Sequence, residues 1–237
     1  MRQRAVALLL SAAILMSVLL SSNAIAAEIE VAPGIKAMDP SNTGAAVLRV
    51  PIEVPPGRGG IAPNMTLSYN SGSGYGWVGM GWNLEPGAIQ RSTRNGVDYT
   101  ASDFIFLKDD ASQELVSRVD WGANYYGDKI EGAFTRYLYN TGTGGWEVTT
   151  KDGLKYYYGS TKASRQNNPW NYTNNNQVFK WYLDKVQDLN GNYMTFTYSS
   201  DTSGSAQGIT YLSRIDYTYN SGGLSSNYVQ FQRNGTA

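Results

Sequence analysis

Residues 44–94 read GAAVLRVPIEVPPGRGGIAPNMTLSYNSGSGYGWVGMGWNLEPGAIQRSTR, and their pattern indicates the class of fold. Apolar residues alternate with mostly polar ones over residues 47–54 and again over residues 65–69, which is the period of a half-buried β-strand. Residues 55–60 lie between these runs and contain two prolines, which lack a backbone donor, and three glycines, which tolerate positive φ. A helix cannot pass through such a segment. The stretch therefore predicts two strands joined by a turn.

The rest of the chain repeats short aromatic-rich runs that are separated by Gly, Asn and Asp. The clearest hairpin signal is Asp152-Gly153, which would place Trp146 and Val148 opposite the tyrosine-rich run 154–158. Further hairpins are predicted over residues 104–119, 137–150, 178–198 and 210–231. We therefore expect an all-β fold, in which antiparallel hairpins form a large curved sheet.

The first residues have the pattern of a cleaved signal peptide. Arg2 and Arg4 precede the apolar residues 5–20, and Ala24 and Ala26 form a small-residue cleavage site. The prediction is export, with cleavage after Ala26, an extended arm over residues 27–43 and one β domain over residues 44–237. The apolar run is short for a membrane span, so no stable membrane anchor is expected. We expect the β domain to continue beyond residue 237 in a longer protein.

The composition of the chain excludes several classes of function. The chain has no histidine and no cysteine, which excludes Ser-His-Asp, Cys-His and thiolate-metal chemistry as well as disulfides. The 19 basic residues balance 19 acidic ones. Removal of the two arginines of the signal peptide leaves a slight negative charge without a basic block, so nucleic acid is not an expected partner.

An ordered set of motifs also runs through residues 44–94. These motifs are Val50-Pro51-Ile52, Pro-Pro-Gly-Arg at 55–58, Leu67-Ser68-Tyr69-Asn70-Ser71, Gly79-Met80-Gly81-Trp82-Asn83-Leu84 and Ile89-Gln90-Arg91-Ser92. In this order they resemble the opening of the SpvB-type domain, which begins the Salmonella virulence plasmid B proteins and the B components of insecticidal toxin complexes and is related to RHS/YD-repeat proteins. Residues 188–198 resemble an RHS-type hairpin.

The resemblance implies a non-catalytic role. It implies a structural module whose sheet contributes to an RHS-like shell for the assembly, encapsulation or delivery of a downstream effector. The implied partners are the downstream part of the same chain and other toxin-complex subunits. No catalytic residue, cofactor or metal ligand is expected in this region. The predicted signal peptide departs from well-known toxin relatives, which often lack one, and this leaves toxicity to animal hosts in doubt.

A second hypothesis is a carbohydrate-binding or adhesive surface module. Aromatic side chains exposed on a β-face can stack on sugars, and the asparagine-rich residues 160–177 are expected to form an exposed loop. Tyr157 and Trp170 are the residues proposed for glycan contact, within a candidate platform of Tyr156, Tyr157, Tyr158, Trp170 and Tyr172. Core packing and cross-strand pairing explain the same tyrosines without any ligand.

Three weaker motifs have simpler structural explanations. The acidic pairs Asp109 with Asp110 and Asp98 with Asp103 could serve a hydrolase or a calcium loop, although aspartates in turns are the simpler interpretation. Residues 74–79 spell G-x-G-x-x-G, but no helical pattern follows them, so a phosphate site is not predicted. Arg58 could recognise a carboxylate, or it could only fix its own turn.

Overall fold

The computed structural model describes residues 36–37, 44–108, 111–171, 174, 176–201, 208–223 and 227–233. Regular structure in these residues is almost entirely β-strand, apart from two 3-10 turns at Arg58–Gly60 and Pro169–Asn171. Pairings between the named strands are antiparallel. The predicted all-β class is therefore confirmed. The predicted signal peptide and most of the predicted arm lie outside the described residues.

A small sheet begins the described chain. The first six strands are β1 (Lys36–Ala37), β2 (Val47–Ile52), β3 (Met65–Asn70), β4 (Tyr75–Gly76), β5 (Gly79–Met80) and β6 (Trp82–Asn83). The sheet has the order β1-β2-β3-β6, and β4 pairs with β5 separately. The two strands predicted from the opening stretch pair as β2 and β3, with Val47 opposite Asn70 and Ile52 opposite Met65. This part of the sequence prediction is confirmed.

A turn without room for a side chain joins β2 to β3. A Cβ atom added to Gly57 would lie 1.8 Å from the carbonyl oxygen of Ile61. The Ile61 amide in turn donates to the carbonyl oxygen of Arg58 at 3.0 Å, which closes the turn. Gly57 of the Pro-Pro-Gly-Arg motif is thus needed because the turn has no room for a larger residue.

A large sheet contains the other strands. These are β7 (Ala88–Arg91), β8 (Phe104–Lys108), β9 (Ala111–Ser117), β10 (Tyr125–Asp128), β11 (Arg136–Asn140), β12 (Gly145–Thr149), β13 (Lys155–Tyr158), β14 (Arg165–Asn167), β15 (Val178–Gln187), β16 (Tyr193–Ser200), β17 (Thr210–Tyr219) and β18 (Asn227–Gln230). Its path is β13-β12-β11-β10-β9-β8-β7-β15-β16-β17-β18, and β14 pairs with β15. All five predicted hairpins occur as pairs of neighbouring strands.

Part of this sheet closes on itself. β15 pairs with β7, where Trp181 is opposite Ile89, and it also pairs with β13, where Tyr157 is opposite Lys185. The second pairing joins the two ends of the path from β13 to β15 and produces a closed ring of eight strands. β16, β17 and β18 extend from the ring as a sheet. Closure is a feature that the sequence prediction of a large curved sheet did not contain.

The sequence prediction that residues 160–177 are exposed fails at Ser164 and Arg165, although residues 160–163 and 169–171 are exposed. These residues were expected to be exposed because they are polar, yet Ser164 is fully buried and Arg165 is 9% exposed. Asp184 on β15 accepts hydrogen bonds from the hydroxyl groups of Ser164 and Ser160, both at 2.7 Å. Polar side chains can be buried here because this carboxylate satisfies their donors. The later residue Trp170 is 95% exposed, as expected.

Candidate functional site

The interior of the eight-stranded ring is filled with aromatic side chains. Residues that are directly opposite in an antiparallel pair point to the same face of the sheet. Phe104 is opposite Leu115, and Leu115 is opposite Asp128, so all three residues lie on the face that points into the ring. Trp146 and Trp181 lie at the centre, with ring centroids 6.1 Å apart, and Phe104 lies 4.8 Å from Trp146. Each of these three side chains is at most 5% exposed.

Arg91 packs against this aromatic cluster. Its guanidinium lies 5.4 Å and 5.5 Å from the ring centroids of Phe104 and Trp181. Its Nε donates to the carbonyl oxygen of Val178 at 2.9 Å, and its Nη1 donates to that of Ala101 at 2.6 Å. Burial lowers the pKa of Arg91 below its ordinary value, but an arginine remains charged. The arginine of the Ile89-Gln90-Arg91-Ser92 motif is therefore a buried structural cation.

The ring has a cleft where polar residues enter its inward face. The cleft has a volume of about 550 Å³. Its lining residues are Phe106, Lys108, Ala111, Gln113, Asp128, Ile130, Gly132, Ala133, Thr135 and Tyr137. They come from β8 to β11 and from the loop between β10 and β11. We call it the Asp128 cleft. Mouths of barrels are frequent sites of ligand binding, so this is the candidate site of the ring.

Asp128 is the buried acid of the cleft. It is 8% exposed, and the hydroxyl of Tyr137 donates to its Oδ1 at 2.9 Å. Burial raises the pKa of this carboxyl, while the hydrogen bond from Tyr137 acts in the opposite direction with a smaller effect. Burial also raises the pKa of the Tyr137 hydroxyl far above its ordinary value. The neutral phenol of Tyr137 is therefore the donor of this hydrogen bond, and Oδ1 of Asp128 is the acceptor.

The sequence interpretation did not single out Asp128 or Thr135. A usable signal was present, because Asp128 follows Tyr126 at the strand period of two and so places an acid on a face that the aromatic residues mark as buried. Within the described part of the chain, no three His, Cys, Asp or Glu residues come close enough to hold a metal ion. No helix there is long and apolar enough to span a bilayer.

The residues proposed for glycan contact do not form one platform. Tyr157 is opposite Lys185 on β15, whereas the strand before Trp170 is opposite Val178 at Asn167. The two positions on β15 are seven residues apart (185 − 178), or roughly 20 Å of strand. Tyr158 is buried in the core and Tyr156 is half-buried against it, while Tyr172 lies outside the described residues. Glycan binding by Tyr157 and Trp170 remains a prediction that this geometry does not favour.

The weaker motifs have structural roles where they are described. Asp98 accepts from the amide and hydroxyl of Thr100, both at 2.7 Å, and the hydroxyl bond contributes most to its lowered pKa. Asp103 is exposed, and Asp109 and Asp110 lie outside the described residues. Residues 74–79 contain the strands β4 and β5 instead of a helix start, so the phosphate motif is absent in structure. Arg58 is exposed and makes no ion pair with the described residues, so its role in recognition stays a prediction.

The closed ring, its aromatic interior and the sheet that leaves it define an all-β module built from successive antiparallel hairpins. The family model of the Salmonella virulence plasmid 65kDa B protein, SpvB, matches residues 40–222, and the chain belongs to this family. This confirms the resemblance seen in the opening motifs.

Individual relatives support the assignment. The Mono(ADP-ribosyl)transferase SpvB of Salmonella choleraesuis (strain SC-B67) is 28% identical, over 78% of this chain and 36% of the relative. The protein of the same name from Salmonella typhimurium (strain 14028s / SGSC 2262) is 27% identical over the same shares. The chain thus spans about a third of the length of the curated relatives it matches.

Two solved structures have a similar fold. A crystal structure of TcdB2-TccC3 matches with a TM-score of 0.64 and 26% identity, over 78% of this chain and 10% of that one. The N-terminal domain of the effector protein SpvB from Salmonella typhimurium strain LT2 matches with a TM-score of 0.58 and 24% identity, over 74% of this chain and 66% of that domain. The chain is therefore a structural module of a toxin-associated family.

Proposed function

We propose that this chain is a non-catalytic scaffold module that contributes a section of β-wall to a larger secreted, toxin-related assembly. Such a wall would enclose or present a downstream effector. The observation that carries the proposal is the match of most of this chain to a tenth of TcdB2-TccC3, which is the relation expected of one wall segment in a large chain. Residues 44–237 would form this module, after a signal peptide that is removed during export.

The outer edge of β18 supports the same proposal. Within the described residues β18 pairs with β17 alone. The amide of Phe231 donates to the carbonyl oxygen of Ser213 on β17 at 2.9 Å. Because backbone donors alternate along a strand, the amides of Tyr228 and Gln230 point away from β17. An edge with such donors can accept a further strand, so the wall can be extended there.

The test uses the natural full-length protein that carries this module. Tyr228→Pro removes one outward backbone donor and leaves the donors toward β17 in place, whereas Tyr228→Thr changes the same side chain and keeps the donor. Electron microscopy of the natural protein should show a hollow particle, and limited proteolysis should cleave the Pro variant faster than the Thr variant. A bead-like module on a flexible linker, with equal cleavage of both variants, would contradict the proposal.

A further inference from the structure

Two buried polar side chains in the Asp128 cleft lack a partner for one of their atoms. Asp128 is 8% exposed and Thr135 is 7% exposed. Tyr137 occupies only Oδ1 of Asp128. The second carboxylate oxygen, Oδ2, and the hydroxyl of Thr135 make no hydrogen bond with any residue that the structure describes. Neither atom is fully enclosed by protein. Both are therefore open to the cleft and are free to accept a hydrogen bond from a ligand there.

The charge of the missing donor follows from the charges at the cleft. The carboxylate of Asp128 forms no ion pair with any described residue. Lys108 also lines the cleft, but it is exposed and its Nζ lies 5.9 Å from the ring centroid of Tyr156. The side chain of Asp128 is largely buried and has no paired cation among the described residues, so a cation that enters the cleft would stabilise its carboxylate. The complementary ligand is therefore positively charged.

The arrangement of the acceptors selects an ammonium group over a guanidinium. A guanidinium binds a carboxylate best when both oxygens accept from it, but Tyr137 already occupies Oδ1. An ammonium is a compact donor of three hydrogen bonds and needs only one oxygen from each acceptor. Asp128, Gln113 and Thr135 all line the cleft, and each has a side-chain oxygen that can accept from an ammonium. Phe106, Ile130 and Ala133 supply apolar walls for a methylene stem.

The rim of the cleft indicates what carries the ammonium. Ile130 is 79% exposed and Phe134 is 64% exposed, both in the loop between β10 and β11. Phe134 has a φ of 53°, a region that bulky residues rarely adopt, and its amide donates to Oε1 of Glu131 at 2.8 Å. The loop therefore holds an aromatic side chain in solvent beside the cleft. A free amine would leave this apolar rim uncovered, whereas a peptide with apolar residues would cover it.

We propose that the Asp128 cleft binds the ammonium group of a lysine side chain on a partner polypeptide that has apolar residues beside that lysine. Asp128 supplies the charge, Thr135 and Gln113 supply further acceptors, and Ile130 and Phe134 contact the neighbouring apolar residues. This recognition is independent of the scaffold role proposed above, because it concerns the cleft and not the edge of β18.

The experiment measures binding of short peptides to the full chain by ¹H-¹⁵N NMR, with the amides around the cleft as reporters. The probes are Ac-Leu-Lys-Leu-NH₂, its norleucine and arginine counterparts, and n-pentylamine. The lysine peptide should bind at least about tenfold more tightly than the norleucine peptide, because one charge-assisted hydrogen bond to a buried carboxylate is lost in the latter. It should also bind more tightly than the arginine peptide.

Variants test each contact. Asp128→Asn keeps the shape of the side chain and should weaken binding of the lysine peptide at least about tenfold, whereas the same change at the exposed residue Asp120 should leave it unchanged. Phe134→Ser should weaken binding of the peptide but not of n-pentylamine. In a ¹³C-aspartate-labelled chain, the raised pKa of Asp128 should fall when the lysine peptide is added.

Several outcomes would overturn the proposal. Equal binding of the lysine and norleucine peptides, or full binding by Asp128→Asn, would remove the role of the carboxylate. Tighter binding of the arginine peptide would contradict the argument from the single available oxygen. Equal affinity for n-pentylamine and the lysine peptide would show that the cleft binds the amine alone and that the neighbouring peptide residues do not contribute.

Discussion

The hydroxyl of Tyr137 donates a hydrogen bond of 2.9 Å to Oδ1 of Asp128 between the neighbouring strands β11 and β10. The pair lies where the aromatic interior of the ring meets the cleft, since Tyr137 also contacts Phe106, with ring centroids 5.4 Å apart. Tyr137 is 1% exposed and Asp128 is 8% exposed. The ring thus places an acidic side chain next to its aromatic interior.

Asp128→Asn should change how the stability depends on pH. Burial raises the pKa of Asp128 in the folded chain. The carboxyl of Asp128 therefore binds its proton more strongly in the folded state than in the unfolded state. As a result, the free energy of unfolding falls as pH rises through the raised pKa. The Asp128→Asn variant has no carboxyl at this position and does not lose stability in this way. Urea unfolding at pH 4 and pH 7 should show that the variant gains free energy of unfolding relative to the wild type as pH rises.

Asp120→Asn is the control variant, and its stability relative to the wild type should change with pH in the opposite direction. The hydrogen bond from Arg118 is the largest cause of the lowered pKa of Asp120. That carboxyl contributes stability at neutral pH and loses the contribution as pH falls through its lowered pKa. The control variant should therefore lose stability relative to the wild type at pH 7 and approach it in acid. The same pH dependence in both variants would contradict the assigned pKa directions.

Trp146→Ala should strongly destabilise the ring. Trp146 is 1% exposed and its ring contacts those of Phe104, Tyr126 and Trp181. Removal of a buried aromatic side chain leaves a cavity and costs about 3–5 kcal/mol. Urea denaturation at pH 7 measures the loss. Trp170→Ala removes the same side chain at a site that is 95% exposed and should stay within about 0.5 kcal/mol of the wild type.

Local signals explain which parts of the fold the sequence predicts. Asp152-Gly153 lies in the turn between β12 and β13, where Gly153 has a φ of 83°. Trp146 and Val148 lie opposite the tyrosine-rich run as predicted, and their partners are Tyr158 and Tyr156. Ring closure has no such signal. It depends on pairs between distant segments, such as Ile89 with Trp181, and their register follows from packing.

The buried polar residues were the other failure of the sequence interpretation. Asparagine-rich composition predicted an exposed loop, but Ser164 is buried because the carboxylate of Asp184 accepts from it. The burial of Asp128 in the cleft could not be predicted from composition for the same reason. Composition reports the average polarity of a segment, whereas burial of a polar residue depends on a single partner from another strand.

The predicted signal peptide can be checked on the exported protein. Residues 1–26 have a basic start, an apolar centre and the small residues Ala24 and Ala26 before the predicted cleavage site. Intact-mass and N-terminal peptide analysis of the protein from the culture medium should identify Ala27 as the first residue. Ala24→Tyr should block cleavage, because the site accepts only small side chains at this position. An uncleaved N-terminus in exported wild type would contradict the prediction.

Gly57→Ala should test the steric basis of the turn between β2 and β3. Gly57 has φ −91° and ψ 170°, which alanine adopts without strain, so the backbone conformation is not the obstacle. The added Cβ would instead lie 1.8 Å from the carbonyl oxygen of Ile61, and this backbone atom must move. We expect a loss of about 1–3 kcal/mol in the free energy of unfolding. Gly74→Ala is the matched control, since a Cβ at Gly74 has no atom within 4 Å. Equal stability of the two variants would mean that the Pro-Pro-Gly-Arg turn has room for a side chain and that its glycine serves another purpose.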